Sequence, residues 1–197
     1  GKPPANSIQM AFGLSFFGQA VYEDPNWNYL SMEFDSDVAY GDQKAGVHIN
    51  SNNPDLRSFR ANGGKLLMYH GWADGAISAY SSIDYYDNVL SFLARYPDGR
   101  AQSKAPVQDF FRLFMVPGMG HCGGGSGPNR FGNGNNAPHD PNRNIVAALE
   151  QWVEQGTAPA KIIAQGANMT RPLCPYPQKV TYNGTGNPND AASFSCK

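Results

Sequence analysis

The pattern of apolar and polar positions along the chain changes near residue 63. Residues 1 to about 60 are rich in Asn, Asp, Ser and aromatic side chains without sustained periodicity, which predicts an irregular segment. The pair Gly63-Gly64 is a turn signal, and the apolar run over residues 65–70 that follows it is typical of a short buried strand. A second apolar run, residues 110–116, predicts another buried strand.

Two helices are predicted, one between these strands and one after them. In residues 78–96 the apolar positions fit one helix face: Ile83, Tyr86, Val89, Leu90 and Leu93. In residues 142–155 the apolar positions also fit one helix face: Ile145, Val146, Leu149, Trp152 and Val153. Gly156 is a suitable C-terminal stop for this helix. Residues 161–164 form a last extended piece, and residues 123–136 predict a long surface loop.

The order strand, helix, strand, helix favours parallel pairing through right-handed crossovers and therefore an α/β fold. Two strands are too few for an independent sheet. We therefore expect the end of a larger doubly wound sheet.

Composition narrows the possible partners. The chain has 197 residues, enough for one α/β domain with a sizeable core, and its formal net charge is −1. It has no basic stripe and no apolar run of the ~18 residues that span a bilayer, so we expect neither nucleic acid nor a membrane as partner. The start, Gly1-Lys2-Pro3-Pro4, has no initiator Met and no signal-peptide pattern, which leads us to expect processing or truncation.

The three cysteines are an odd number. Cys174 and Cys196 bracket a tail rich in Pro, Asn, Gly and Thr, and a disulfide closing that loop would contribute about 3 kcal/mol in the chain-entropy model. This pairing implies an oxidising compartment, so we expect a secreted or periplasmic protein, and it leaves Cys122 without a partner inside the chain. The alternative is three reduced cysteines in a cytosolic protein.

Two titratable residues follow the two predicted strands. Asp74 comes shortly after the first strand, and His121 lies in the glycine-rich run VPGMGHCGGG, residues 116–125, after the second. Because parallel strands end at the same edge of a sheet, these side chains can meet there. A carboxylate that accepts a hydrogen bond from one imidazole nitrogen leaves the other free as a base. The order Asp then His is that of α/β-hydrolases, in which the nucleophile comes first.

The runs GKLLMYHGWAD (residues 64–74) and VPGMGHCGGGSGP (residues 116–128), together with Tyr85-Tyr86 and residues 145–165, resemble the tannase and feruloyl esterase family. That family also includes a terephthalate monoester hydrolase. The resemblance implies an α/β-hydrolase fold, with residues 1–55 as the end of a lid-like segment. Residues 56–165 would be the C-terminal part of the hydrolase core, and residues 166–197 a disulfide-closed tail.

The same resemblance implies a serine esterase of aromatic esters, of galloyl or hydroxycinnamoyl type, with Asp74 and His121 as triad members and no cofactor. It pairs Cys122 with a cysteine directly before the nucleophilic Ser. Trp72 is a candidate for the wall of the acyl pocket, as are aromatic residues between 12 and 34, although we expect most of the latter to pack within the lid-like segment.

The chain departs from the family at the nucleophile. The family's Cys-Ser-x-Gly-Gly motif is absent, and no G-x-S-x-G occurs. Ser126 lies five residues from His121 on the same loop, which argues against a nucleophile elbow there. We therefore expect the Ser on an N-terminal portion of the enzyme outside this chain, and no esterase activity from the chain alone.

Two other functions are compatible with the sequence. The first is a non-catalytic fragment that binds a sugar or an aromatic ligand with the loops that follow the strands. The second is a metal site at His121, Cys122 and His139, although the loop between them lacks ligand spacing and zinc usually has four ligands, or three and a water. We expect no metal.

Overall fold

The structure is a computed structural model that describes residues 7–95, 107–134 and 137–197. The chain divides into two compact units, with the boundary between Asn53 and Pro54. Within the described residues, no helix combines the length and the apolar character needed to cross a bilayer.

The first unit is helical, which corrects the prediction of an irregular segment. It contains α1 (Ile8–Leu14), α2 (Phe34–Gly41) and α3 (Val47–Ile49), with π-helical turns at Ser15–Val21 and Asp42–Gly46 and a 3₁₀ turn at Tyr29–Ser31. The π turns use i→i+5 hydrogen bonds, so they shift the apolar stripe out of the period of 3.6 residues that sequence analysis searches for. Aromatic rings pack inside this unit, with Trp27 stacked on Phe17 and Tyr22 at 5.4 and 5.7 Å between centroids.

The second unit is built on two parallel strands, as the sequence predicts. Strand β1 (Leu66–Gly71) pairs in parallel with β2 (Phe111–Val116), and His70 lies opposite Met115 in the register. Helix α4 (Arg57–Ala61) precedes β1, helix α5 (Ala79–Arg95) connects the strands, and a 3₁₀ turn (Val107–Asp109) leads into β2. The predicted last residue of α5, Tyr96, lies outside the described residues.

Side chains of the two strands alternate between two apolar clusters. Leu66 and Met68 of β1 pack with α5 in one cluster, while Leu67 and Tyr69 pack on the opposite side with α6 (Ile145–Gln155). This alternation follows from the two-residue period of a strand. The sheet is thus covered by a helix on each face.

The buried face of α5 is the predicted one, but that of α6 is not. In α5 the buried residues include Ile83, Tyr86, Val89 and Leu93. In α6 the predicted core residues Val146 and Val153 are exposed, and Ala147 and Ala148 are buried instead. The bulky side chains of Ile145 and Trp152 are buried and define the face of the helix that packs on the core. Val146 and Val153 each come one residue later, so they point about 100° away from that face. Gly156 ends α6 with φ +70°, as predicted.

The final segment contains the extended piece predicted at residues 161–164, which is β3 (Ile162–Gln165), and three further strands that the sequence does not predict. Strand β3 runs antiparallel to β4 (Thr170–Leu173), and β5 (Val180–Tyr182) runs antiparallel to β6 (Phe194–Cys196). Cys174 and Cys196 are joined by a disulfide, as predicted. The tail is also tied to the core, because the Tyr176 amide donates to the Leu113 carbonyl and Leu173 is buried.

The loop after β2 is more deeply anchored than a surface loop. Phe131 is fully buried and packs edge-on against Tyr69, with 5.1 Å between ring centroids. The Arg130 amide and carbonyl both exchange hydrogen bonds with Gln165 of β3. The prediction of a long surface loop over residues 123–136 is therefore wrong for this part of it, while residues 135 and 136 lie outside the described residues.

Candidate active site

Asp74 lies in a tight turn at the end of β1. The Trp72 amide donates to the Val116 carbonyl at 3.0 Å and the Ala73 amide to the Met119 carbonyl at 2.9 Å, so the turn is fastened to the end of β2. Asp74 Oδ1 accepts hydrogen bonds from the amides of Ala76 (2.8 Å) and Ile77 (3.0 Å). An Asp side chain that accepts from amides two and three residues later stabilises the turn locally, in addition to its hydrogen bonds to the end of β2.

His121 lies on a compact glycine loop at the end of β2. The loop folds back on itself, since Met119 and Gly125 form a β-bridge and the Gly120 amide donates to the Gly124 carbonyl. Gly125 has φ +91°, and a Cβ there would overlap the carbonyl oxygen of Gly118. Only glycine meets both conditions, which explains the glycine at position 125.

The two side chains meet at this edge of the sheet. His121 Nδ1 lies 2.9 Å from Asp74 Oδ2, so the predicted proximity of the two residues is confirmed. Because a carboxylate only accepts hydrogen bonds, Nδ1 carries the proton, and the neutral ring then has a lone pair on Nε2. Nε2 makes no hydrogen bond within the described part of the chain, and 47 % of the His121 side chain is exposed. The ring is arranged to accept a proton from a group that approaches from outside.

The environment of Asp74 favours its anionic form. Its side chain is only 4 % exposed, and this burial raises the pKa of the carboxyl. Hydrogen bonds from the Ile77 amide, from His121 and from the Ala76 amide lower the pKa, and the charge of His121 lowers it further. Together these effects outweigh burial, so the pKa of Asp74 lies below the usual range for Asp. A carboxylate that is ionised at neutral pH can stabilise an imidazolium that forms on His121.

Cys122, directly after His121, and Trp72, two residues before Asp74, are also predicted site residues. Cys122 is an exposed free thiol with φ +59°, and its carbonyl accepts a hydrogen bond from the Asn133 side chain. Trp72 is 44 % exposed and packs edge-on against Tyr80 at 5.8 Å. It also lines a small cavity of about 150 Å³, together with Met115, Pro117, Pro172, Cys174, Tyr176, Pro177, Gln178, Lys179 and Val180.

The alternative metal site is not assembled. His139 Nε2 pairs with Glu150 Oε2 at 2.9 Å on the protein surface rather than with His121 or Cys122. In residues 7–95, 107–134 and 137–197, no three His, Cys, Asp or Glu side chains are grouped closely enough to hold a metal ion.

Sequence analysis missed a second histidine at the carboxylate. His70 Nε2 lies 3.1 Å from Asp74 Oδ2, the same oxygen that His121 contacts, and His70 Nδ1 lies 2.7 Å from Ser82 Oγ. The available signal was the alternation along β1, which places His70 on the same side as Met68 and therefore toward α5.

A buried carboxylate hydrogen-bonded to an exposed imidazole is an arrangement that can carry acid–base chemistry. The chain matches the tannase and feruloyl esterase family over residues 5–197, and it belongs to that family.

Individual relatives agree with this assignment. An uncharacterised esterase of Xanthomonas campestris is 38 % identical, with 92 % of this chain and 35 % of the relative covered. A probable feruloyl esterase B-2 of Aspergillus terreus is 34 % identical, with 97 % and 37 % covered. The crystal structure of feruloyl esterase B from Aspergillus oryzae superposes with a TM-score of 0.82 at 30 % identity, with 93 % of this chain and 37 % of that chain covered. The chain thus spans about a third of the length of these relatives.

Proposed function

We propose that this chain is the acid–base part of a serine carboxylic-ester hydrolase that acts on aromatic esters of galloyl or hydroxycinnamoyl type. The carrying observation is the 2.9 Å hydrogen bond from His121 Nδ1 to the buried Asp74, which leaves Nε2 on an exposed ring. The substrate class rests on the names of the relatives, several of which are feruloyl esterases. The fold that we propose for the whole enzyme is that of an α/β-hydrolase, with this chain as its C-terminal part.

In the proposed reaction, a Ser outside this chain attacks the ester carbonyl carbon while its hydroxyl proton moves to His121 Nε2. The imidazolium then gives that proton to the departing alcohol oxygen as the C–O bond breaks, which leaves an acyl-enzyme. Water attacks the acyl-enzyme by the same route, so that the carboxylic acid is released and the Ser is restored. Asp74 remains ionised and stabilises the imidazolium in both steps.

We propose that Cys122 forms a disulfide with a cysteine next to that Ser. An exposed free thiol adjacent to the base is well placed for this, and a covalent link there would hold two distant loops in the tight register that catalysis requires. The Cys174–Cys196 disulfide supports an oxidising compartment, and we propose that the protein is secreted or periplasmic. Trp72 is proposed as a contact for the aromatic part of the substrate.

The test compares the isolated chain with the complete product of the reading frame that contains it, using methyl ferulate and methyl gallate as substrates. The complete product should hydrolyse both esters and lose activity with His121→Ala, whereas the isolated chain should be inactive. His139→Ala is the matched control, because that histidine pairs with Glu150 at the surface. Hydrolysis by the isolated chain that His121→Ala abolishes would contradict the proposed location of the nucleophile, and full activity of the complete His121→Ala enzyme would contradict the mechanism.

A further inference from the structure

The carboxylate of Asp74 has more hydrogen-bond donors than the proposed reaction uses. Oδ1 accepts from two backbone amides, and Oδ2 accepts from both His121 and His70. The side chain of His70 is 11 % exposed, so it has little contact with solvent. A buried imidazole on the carboxylate is a polar group that an apolar core would exclude unless its hydrogen bonds were satisfied.

The partners of His70 define the position of its proton. Nε2 faces Asp74 Oδ2 at 3.1 Å and the Ile77 carbonyl oxygen at 3.2 Å, and both of these groups only accept. Nε2 must therefore carry a hydrogen. Nδ1 faces the Ser82 hydroxyl at 2.7 Å, which can donate to it because a hydroxyl is both donor and acceptor.

We propose that His70 is a positioning residue of the active site, which acts through Asp74 and is itself set by Ser82. The proposal rests on the proposed function. The Ser82 hydroxyl donates to Nδ1 and favours the Nε2–H tautomer, and Nε2–H then donates to Oδ2 and holds the carboxylate in the orientation that receives His121. The two histidines on one oxygen consequently have opposite tautomers, with the proton on Nε2 in His70 and on Nδ1 in His121.

The three residues His70, Asp74 and Ser82 are close in sequence, so their hydrogen bonds can form within this chain alone. His70 is on β1, Asp74 is in the turn that follows, and Ser82 is in the first turns of α5. All three belong to one continuous stretch of chain, and His70 points toward α5 because the odd-numbered neighbours Leu67 and Tyr69 point to the other face. Three of the four hydrogen-bond donors to the carboxylate therefore come from this one stretch of chain, and the fourth, His121, follows β2.

Nitrogen-15 spectra of the imidazole rings in the purified 197-residue chain test the proposal without any turnover. Ring nitrogens that carry a hydrogen resonate well upfield of those that do not, so the spectra should show the two opposite tautomers. In Ser82→Ala the Nδ1 signal of His70 should move downfield, because its donor is lost. Ser81→Ala, whose hydroxyl donates instead to the Ser78 carbonyl, is the matched control and should leave the signal in place.

Variants at residue 70 test the effect on the neighbouring base. His70→Leu should increase the Nε2–H fraction of His121, whereas His70→Gln, whose amide can donate to Oδ2, should keep it close to the wild-type value. In the complete enzyme, His70→Leu should lower kcat about 10- to 100-fold with little change in KM, as expected for the loss of a hydrogen bond to a charged group. His70→Gln should recover most of kcat.

Results on the isolated chain and on the complete enzyme separate the two proposals. A proton on Nδ1 of His70, or an unchanged His121 tautomer in a folded His70→Leu chain, would overturn the positioning role. A His70→Gln enzyme as impaired as His70→Leu would overturn it as well. Full activity of the complete His121→Ala enzyme would instead refute the proposed function, and the tautomers of the isolated chain would not depend on that outcome.

Discussion

The turn after β1 positions the Asp74 side chain with hydrogen bonds. The loop after β2 positions the His121 side chain mainly through its backbone conformation. Asp74 is almost fully buried and accepts four hydrogen bonds, and three of these come from its own stretch of chain. His121 is half exposed and has a single hydrogen-bond partner among the described residues, on a loop shaped by glycines with positive φ. The carboxylate is therefore preorganised by local sequence, and the base is left accessible. Such a division of roles suits a site in which one member of the pair must meet a group from outside.

The largest expected effect comes from removing the charge of Asp74, the hydrogen-bonded member of the pair. In the complete enzyme, Asp74→Asn should lower kcat about 10,000-fold, because an amide presents the wrong hydrogen-bonding group to Nδ1 and cannot stabilise an imidazolium. Asp84→Asn, on the exposed side of α5, removes the same charge without touching the site and should leave kcat unchanged. Steady-state kinetics with methyl ferulate give both values. Equal kcat for Asp74→Asn and Asp84→Asn would show that the buried carboxylate has no catalytic role.

The second prediction concerns a substitution that disturbs the contact between the end of β1 and the loop after β2. Gly71, the last residue of β1, packs so closely on the loop after β2 that a Cβ would overlap the Met119 carbonyl oxygen. Gly71→Ala should lower the free energy of unfolding of the chain by about 1–3 kcal/mol, since backbone on both sides must move apart. At Gly75 a Cβ would have no heavy atom within 4 Å, so Gly75→Ala should change the free energy of unfolding by less than about 0.5 kcal/mol. Urea unfolding measures both, and equal stability of the two variants would mean that the loops are not in tight contact.

The third prediction addresses the glycine loop alone. Gly125→Ala introduces a side chain at φ +91° and overlaps the Gly118 carbonyl, and because the loop is exposed and can shift, we expect a loss of about 1–2 kcal/mol. At Gly123 a Cβ would have no heavy atom within 4 Å and φ is not positive, so Gly123→Ala is the matched control. The His121 ring signals should change in Gly125→Ala and stay the same in the control. Unchanged signals in Gly125→Ala would indicate that the loop conformation does not position the ring.

Sequence analysis predicted the central part of the fold because its elements are long or strongly periodic. The apolar runs gave β1 and β2, and the apolar stripe of residues 78–96 gave α5 with its buried face. Strands β4, β5 and β6 have three or four residues each and are defined by what they pair with rather than by their own pattern. The helices before residue 54 are short and interrupted by π turns, so no regular period was available.

The site was predictable only in part, for a related reason. The meeting of Asp74 and His121 follows from parallel strands that end at one edge, a rule that needs no side-chain detail. The participation of His70 requires knowing which face of β1 lies against α5, and that of Ser82 requires knowing which turn of α5 reaches it. The sequence contains the alternation that orients His70, but nothing in it marks one face of a buried strand as the side that leads to the site.

The smallest expected effect is a pH dependence that isolates the buried carboxylate. The pKa of Asp74 is lower in the folded chain than the ordinary value of about 3.9, so the folded state holds fewer protons than the unfolded state at acidic pH. The stabilisation from this group is therefore fully present above that ordinary value and is lost as the pH falls toward the folded pKa. Other carboxyl groups contribute equally to the wild type and to Asp74→Asn, so the difference between the two isolates Asp74.

The measurement is the free energy of unfolding of both chains at a series of values from about pH 5 to about pH 2. The advantage of the wild type over Asp74→Asn should be largest near the upper end and should shrink toward the lower end. A wild-type advantage that stays constant or grows on acidification would mean that the donors around Asp74 do not favour its anion, and the contrast between a preorganised carboxylate and an accessible base would then be wrong.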